Sequence, residues 1–180
     1  PIAVIQISHG MAEHAMRYES FANHMNGKGF IVIADDHRAH GQTDFESLGY
    51  CDGDIFADTL LDMKALNEYA KNTYSLPVVL FGHSYGSFLS QAYLENYSDT
   101  VSGIILGGSS YMKTFINKAG KLIAKMGRAF KGEQAPAYLM KKMSFDAYEK
   151  KLGGSFISSI KEEADRYNSD ELCGFICSYN

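Results

Sequence analysis

The chain has 180 residues, 46% of them apolar and 13% aromatic, with a formal net charge of −4 and three cysteines. That apolar content suits one packed domain, the acidic balance speaks against a nucleic-acid partner, and three cysteines are too few and too odd a set for a disulfide framework. No apolar run reaches the length of a membrane span and no basic-then-apolar leader precedes the first strand, so the cytoplasm is the expected compartment.

In chain order, residues 3–8 (AVIQIS) read as a strand that runs into His9-Gly10-Met11-Ala12-Glu13-His14. The chain opens at Pro1 without a methionine and enters this strand at once, which points to a segment upstream. A helix is predicted over residues 16–25 with a stop at Gly27-Lys28-Gly29, followed by a second apolar strand over 30–34. Strand, helix and strand in this order, each strand apolar throughout, imply a parallel sheet with crossover helices. The polar loop 35–44 carries Asp35, Asp36, His37, Arg38, His40 and Asp44, but its spacing fits no standard zinc pattern and no metal is expected. Phe56, Leu60, Met63, Leu66 and Ala70 recur at helical spacing and predict an amphipathic helix over the sheet.

Residues 78–81 then form another continuous apolar strand, and Phe88, Leu89, Ala92 and Tyr93 resume helical spacing only a few residues later. Strand and helix are joined by Gly82-His83-Ser84-Tyr85-Gly86, a G-x-S-x-G turn. Its two glycines let strand and helix approach closely, and Ser84 is lifted on a strained backbone above the sheet edge, at the positive end of the following helix. In this strand–turn–helix setting the pattern is that of a nucleophile elbow. A fourth buried strand is predicted over 101–108, so residues 1–110 form an α/β core.

The character changes at Tyr111. Met112, Phe115, Ile116, Ala119, Leu122, Ile123, Met126, Ala129 and Phe130 give a helical apolar face among Lys113, Lys118, Lys121, Lys125, Arg128 and Lys131. Such a helix either roofs the site or lies on a membrane surface. Shorter helical segments follow around 137–143, 145–152 and 156–167, with Gly153-Gly154 as a break, so residues 111–180 are expected to form a helical cap. Up to residue 110 the chain carries five Lys or Arg against thirteen Asp or Glu, a charge of −8; beyond it twelve face eight, a charge of +4. Cys173 and Cys177 stand four apart, a spacing that places both on one face if the segment is helical, and buried packing is the expected role.

These motifs resemble the α/β-hydrolases of the monoglyceride lipase and lysophospholipase group, which are also grouped with serine aminopeptidase-like hydrolases. Residues 9–14 with Arg17-Tyr18 are similar to that family's oxyanion loop, residues 36–44 to its D-x-R-G-H-G-x-S segment, 82–86 to its elbow, and 168–174 to the stretch that closes its cap. Ala39 and Thr43 depart from the family's usual glycine and serine. The resemblance implies a mostly parallel α/β sheet flanked by helices, with a helical cap. It also implies a serine ester hydrolase acting on a monoacylglycerol or lysophospholipid through an acyl-enzyme, without a cofactor. In that reading Ser84 is the nucleophile, the backbone N–H groups of Met11 and Tyr85 form the oxyanion hole, and His9, Gly10, His40, Gly82, His83 and Gly86 support them.

A hydrolase of this fold places its acid and histidine after the serine. All six histidines here stand at or before position 83, so acid and base are expected beyond Asn180, and the 180 residues alone are expected to be inactive. His83 adjoins Ser84, but neighbouring elbow side chains diverge, which makes it a poor base. Competing readings are a small-ester esterase or peptidase of the same fold, and a binding protein that has lost its chemistry. The lysine-bearing helix allows transient contact with a membrane surface.

Overall fold

The computed structural model describes the backbone of residues 1–111 and 115–180, and their side chains except those of residues 115–117. Met112 and Lys113, and the side chains of Phe115 and Ile116, all counted in the amphipathic stretch, therefore lie outside the described residues. Four strands, β1 (Val4–Ser8), β2 (Ile31–Ala34), β3 (Val78–His83) and β4 (Gly103–Gly107), form one parallel sheet in the order β2-β1-β3-β4. The crossover helices are α1 (Glu19–Gly27), α2 (Ile55–Tyr74) and α3 (Tyr85–Tyr97).

Position in the sheet decides which apolar runs are buried. Central β1 is buried at every residue, and β3 buries its even positions Val78, Leu80 and Gly82. Leu80 packs with Met63 of α2 and with Leu89 and Tyr93 of α3, which together cover one face of the sheet. α1 covers the other face, where Phe21 meets Phe81. β2 and β4 are edges, and here the expectation of strands buried on both faces fails. Ile31, Val32 and Ile33 are half-buried and Ala34 is exposed, while Ile105 and Leu106 of β4 are exposed. An apolar run marks a strand, but the number of its neighbours sets its burial.

Two further differences have local causes. The predicted helix 16–25 begins as a 3₁₀ turn over Ala15–Tyr18, whose first N–H is capped by Asp36 Oδ1 at 2.7 Å, and becomes α-helical only at Glu19. On α2 Met63 and Ala70 are buried and Leu60 and Leu66 half-buried, as the apolar spacing leads one to expect, but Phe56 is exposed and the polar Thr59 and Asn67 join the buried stripe. The reason is Gln6, which sits fully buried in β1. Its Nε2 donates to the Met63 carbonyl at 2.8 Å, and its Oε1 accepts from Asn67 Nδ2 at 3.1 Å. A buried amide needs polar partners, and α2 supplies them.

Beyond residue 111 the described elements are helical: α4 (Phe115–Lys131), α5 (Tyr138–Lys141), a π-turn over Lys142–Asp146, α6 (Ala147–Leu152) and α7 (Lys161–Ser169). α6 stops at Gly153, whose φ of 69° makes it a left-handed cap. Residues 156–160, expected within the last helix, precede it instead. The segment carrying Cys173 and Cys177 is not helical: Asp170 Oδ1 accepts the Leu172 N–H at 2.9 Å and Gly174 takes φ 70°, which turns the chain at each step. No helix among the described residues is long and apolar enough to cross a membrane.

Candidate active site

β1 and β3 run side by side in the same direction, and the order of the sheet reverses between them, β1 leading to β2 on one side and β3 to β4 on the other. Such a reversal parts the loops that follow the two strands and opens a crevice outside their carboxyl ends. Residues 9–14 leave β1 at that crevice, and Ser84 leaves β3 beside them.

Ser84 alone separates the end of β3 from the start of α3, at φ 50° and ψ −115°. That region costs a non-glycine residue on the order of 1–3 kcal/mol and persists only where the surroundings fix it. Its N–H donates to the Gly107 carbonyl at 2.8 Å, and its carbonyl accepts the Ser87 N–H at 2.9 Å and the Ser87 hydroxyl at 2.6 Å. Both flanking glycines are forced by close approach. A Cβ on Gly86 would overlap the Ser8 carbonyl oxygen, and one on Gly82 would overlap the Ser90 hydroxyl and the Gly86 carbonyl. The serine itself is half-buried, not sealed in the interior. Tyr85, first residue of α3, has an N–H with no acceptor among the described residues, as a helix N-terminus requires.

The loop after β1 reaches this serine: a Cβ on Gly10 would stand 3.4 Å from Ser84 Cβ and only 2.7 Å from Glu13 Oε1. Glu13, which sequence reasoning did not single out, organises the loop. Its buried carboxylate accepts the Gly10 N–H at 2.6 Å, the Tyr18 hydroxyl at 2.8 Å and Arg17 Nε at 2.9 Å. Burial and the adjacent Glu13 charge raise the Tyr18 pKa, so its hydroxyl remains a donor. The signal was available in Gly10-x-x-Glu13, with Arg17 four residues further on. The Met11 N–H meets no acceptor among the described residues.

Beneath the loop lie three clustered imidazoles, His9 stacked on His37 and meeting His40 edge-on. The His9 and His37 ring centroids are 4.1 Å apart, those of His9 and His40 5.2 Å, and His40 stacks on Tyr85 at 6.2 Å. His9 Nε2 accepts the His37 backbone N–H at 2.9 Å, so its proton sits on Nδ1, which donates to the Gly10 carbonyl at 2.7 Å. Burial, then the neighbouring His37 and His40, hold the His9 pKa well below its ordinary value; burial lowers that of His40 to about 4. Both rings are neutral struts. His37 bridges Ser8 Oγ at 2.8 Å and Asp35 Oδ2 at 3.3 Å, which imitates a Ser-His-Asp relay, but Ser8 is buried and no substrate reaches it. His83 stands on the α1 side, its ring 6.5 Å from that of Tyr18. Among the described residues no imidazole hydrogen-bonds to Ser84.

The 35–44 loop is braced by carboxylates. Asp36 accepts the Ala15 and Gln42 N–H groups at 2.7 and 2.8 Å, and Asp44 accepts the Ala39 N–H at 2.6 Å. Ala39 has φ 63°, which accounts physically for the glycine usual at that point of the motif. One cluster not foreseen lies across the loop of residues 9–14: His14, Asp170 and Cys173 offer ligand atoms within 4.8 Å of one another. His14 Nε2 and Asp170 Oδ2 already satisfy each other at 2.8 Å, and the Cys173 thiol is pushed up to about 12 by burial and by Asp170, so it stays protonated. Cys177 is likewise raised to about 12 by burial. All three cysteines are free.

Beside Met11 and Ala12 opens an apolar cavity of about 520 Å³, walled by Ala124 of α4, Met140, Phe145, Phe156 and Phe175 among others. α4 contributes a narrow ridge, with Ala119, Ile123, Ala124 and Gly127 half-buried, while Leu122, Met126 and Phe130 face outward. The expected inward-facing roof is thus present along only part of the apolar stripe.

The monoglyceride lipase of Mus musculus is 29% identical over 178 residues, which cover 96% of this chain and 52% of that protein. The monoacylglycerol lipase of Mycolicibacterium smegmatis is 34% identical over 109 residues, covering 60% of this chain and 38% of that protein. A thermostable carboxyl esterase from Bacillus coagulans, solved in complex with glycerol, matches with a TM-score of 0.85 at 25% identity, over 98% of this chain and 59% of that one. The chain thus spans about half the length of the mammalian relatives it matches. The profile of the serine aminopeptidase, S33 family matches residues 1–180 from end to end. With its parallel sheet, the order of its motifs and that full-length match in agreement, the chain belongs to this family of α/β-hydrolases.

Proposed function

We propose that this chain carries the nucleophile and oxyanion hole of a serine carboxylic ester hydrolase acting on monoacylglycerol or lysophospholipid substrates. The observation that carries the reading is Ser84, held at φ 50° between β3 and α3 at the point where the sheet order reverses. Its Oγ attacks the ester carbonyl carbon, and the negative charge that develops on the carbonyl oxygen is met by the N–H groups of Met11 and Tyr85. Collapse of the tetrahedral adduct breaks the ester C–O bond, releases the alcohol and leaves the acyl group on Ser84; water then releases the acid. The acid and base that move the protons are assigned to parts of the protein outside these 180 residues.

Residues 111–180 are proposed as the cap. The apolar cavity beside Met11 suits a single acyl chain, and the names of the mouse and mycobacterial relatives favour a glycerol ester. Leu122, Met126 and Phe130 stand exposed among Lys121, Lys125, Arg128 and Lys131, a pattern that favours transient contact with an anionic lipid surface. A fluorophosphonate probe on the intact protein tests the nucleophile: labelling is expected, and Ser84→Ala abolishes it. No labelling of the wild type overturns the reading and leaves a binding protein. Esters of graded acyl length, with an aminoacyl amide beside them, test the substrate. A preference for short chains or for the amide removes the lipase assignment.

A further inference from the structure

The oxyanion loop is gripped from the far end of the chain. The Ala12 carbonyl accepts two hydrogen bonds, from the Tyr167 hydroxyl at 3.0 Å and from the Gly174 N–H at 2.9 Å. Two residues on, His14 Nε2 pairs with Asp170 Oδ2 at 2.8 Å. The Arg17 guanidinium, itself tied to Glu13, lies 4.9 Å from the centroid of the Tyr167 ring. The segment they hold needs holding, since Ala12 sits at φ 55°, where a residue with a side chain is strained. Tyr167 is buried, and together with Met11, Ala12 and Gly174 it also lines the apolar cavity.

From this double placement we infer that Tyr167 and Asp170 are positioning residues for the oxyanion hole, through which the wall of the acyl cavity sets the direction of the Met11 N–H. The inference rests on the hydrolase reading of Ser84 and deepens it: cap and catalytic loop are one mechanical unit. A chain in the cavity presses on Tyr167 and Gly174, and both bond to the Ala12–Glu13 peptide, two peptides on from the one that carries the Met11 N–H. Tyr167→Phe removes one hydroxyl and keeps the ring under Arg17; Asp170→Asn keeps an oxygen for His14 and removes the charge.

The test uses the intact protein. Tyr167→Phe is expected to lower kcat about five- to tenfold with KM within twofold. It also weakens a boronic acid, which forms a tetrahedral adduct on Ser84, by the same factor, and speeds amide hydrogen exchange in the peptide containing Met11. Asp170→Asn gives a smaller change of the same kind, and Tyr167→Ala a larger one. A role confined to folding lowers the melting temperature without changing boronate affinity at a temperature where the variant is folded, and that result overturns the inference. So does unchanged hydrogen exchange at Met11 in an active Tyr167→Phe enzyme, which leaves the hydrolase reading standing. A wild type that neither turns over esters nor binds the boronate overturns the hydrolase reading, and the catalytic role of the clamp falls with it.

Discussion

Removing the Glu13 carboxylate is the sharpest test of how the oxyanion loop is held. Glu13→Ala strips the partner from the Gly10 N–H, the Tyr18 hydroxyl and Arg17 at once, at distances of 2.6, 2.8 and 2.9 Å. Hydrogen bonds to a charged group contribute about 1.5–3 kcal/mol each, and the Arg17 pair counts for less where water reaches it. The expected loss of stability is about 3–4 kcal/mol, which in a domain of this size lowers the melting temperature by roughly 6–16 °C. The Met11 amide is displaced but not deleted, so kcat should fall by roughly 10- to 100-fold, below the 100- to 1,000-fold typical of losing a donor outright. Glu13→Gln keeps an oxygen for Gly10 and Tyr18 and loses mainly the charge on Arg17, so it should recover most of both quantities. Thermal melts and hydrolysis of a chromogenic ester by the intact protein read the two effects. If Glu13→Ala keeps kcat within twofold, the carboxylate does not set the loop geometry and the argument fails.

Ala39→Gly relieves a left-handed backbone that costs about 1–2 kcal/mol against a glycine entropy cost of about 0.5–1 kcal/mol, so the melting temperature should rise by roughly 1–4 °C; a fall contradicts the strain argument. His40 has a folded pKa of about 4 against an ordinary 6.5, so the unfolded chain binds a proton that the folded one refuses. Stability is therefore full above pH 6.5 and lost as pH falls toward 4, by about 3 kcal/mol from this ring alone, with His9 adding in the same direction. Denaturant titrations at pH 7, 6, 5 and 4 check the slope, and a flat profile between 7 and 5 is the contrary result. Leu122→Glu combined with Met126→Glu should reduce co-sedimentation with anionic lipid vesicles at least tenfold while a water-soluble ester is hydrolysed as before, and unchanged sedimentation removes the membrane contact.

What could be read in the sequence was what neighbouring residues decide. Residues 82–86 announce their geometry because two glycines, a serine, a preceding strand and a following helix all lie within one short window. The strand runs were equally plain, but the exposure of Ile105 and Leu106 on β4 depends on sheet order, which no single run encodes. Asn67 was missed from the buried stripe of α2 for a related reason, since it looks like a surface residue until Gln6, 61 positions earlier, is placed beneath it. Asp170 lies in the 168–174 stretch that the motifs marked, but what it and Tyr167 hold could not be read, because their partners His14 and Ala12 lie 156 and 155 residues away. The condition under which Cys173 and Cys177 would share a helix face is not met, because Asp170 and Gly174 are turn formers and the chain turns at each of them.

The restraints on the loop after β1 converge on one peptide. A trans amide is planar, with its N–H and C=O pointing in opposite directions. The Gly10 carbonyl is drawn toward His9 Nδ1 at 2.7 Å, so the Met11 N–H on the same peptide must point the other way. His9 in turn cannot swing, because its second nitrogen accepts the His37 N–H at 2.9 Å, nor can it take up a proton without breaking that bond. The preceding peptide is fixed by Glu13 through the Gly10 N–H, and the one that begins at Ala12 by Tyr167 and Gly174. The Gly10 carbonyl, the Gly10 N–H and the Ala12 carbonyl on either side of the Met11 amide are thus spent on scaffolding, while the Met11 N–H meets no acceptor among the described residues. In the proposed hydrolase, a donor so restrained needs little reorganisation when charge appears in front of it, which is the physical condition for stabilising a transition state more than a ground state.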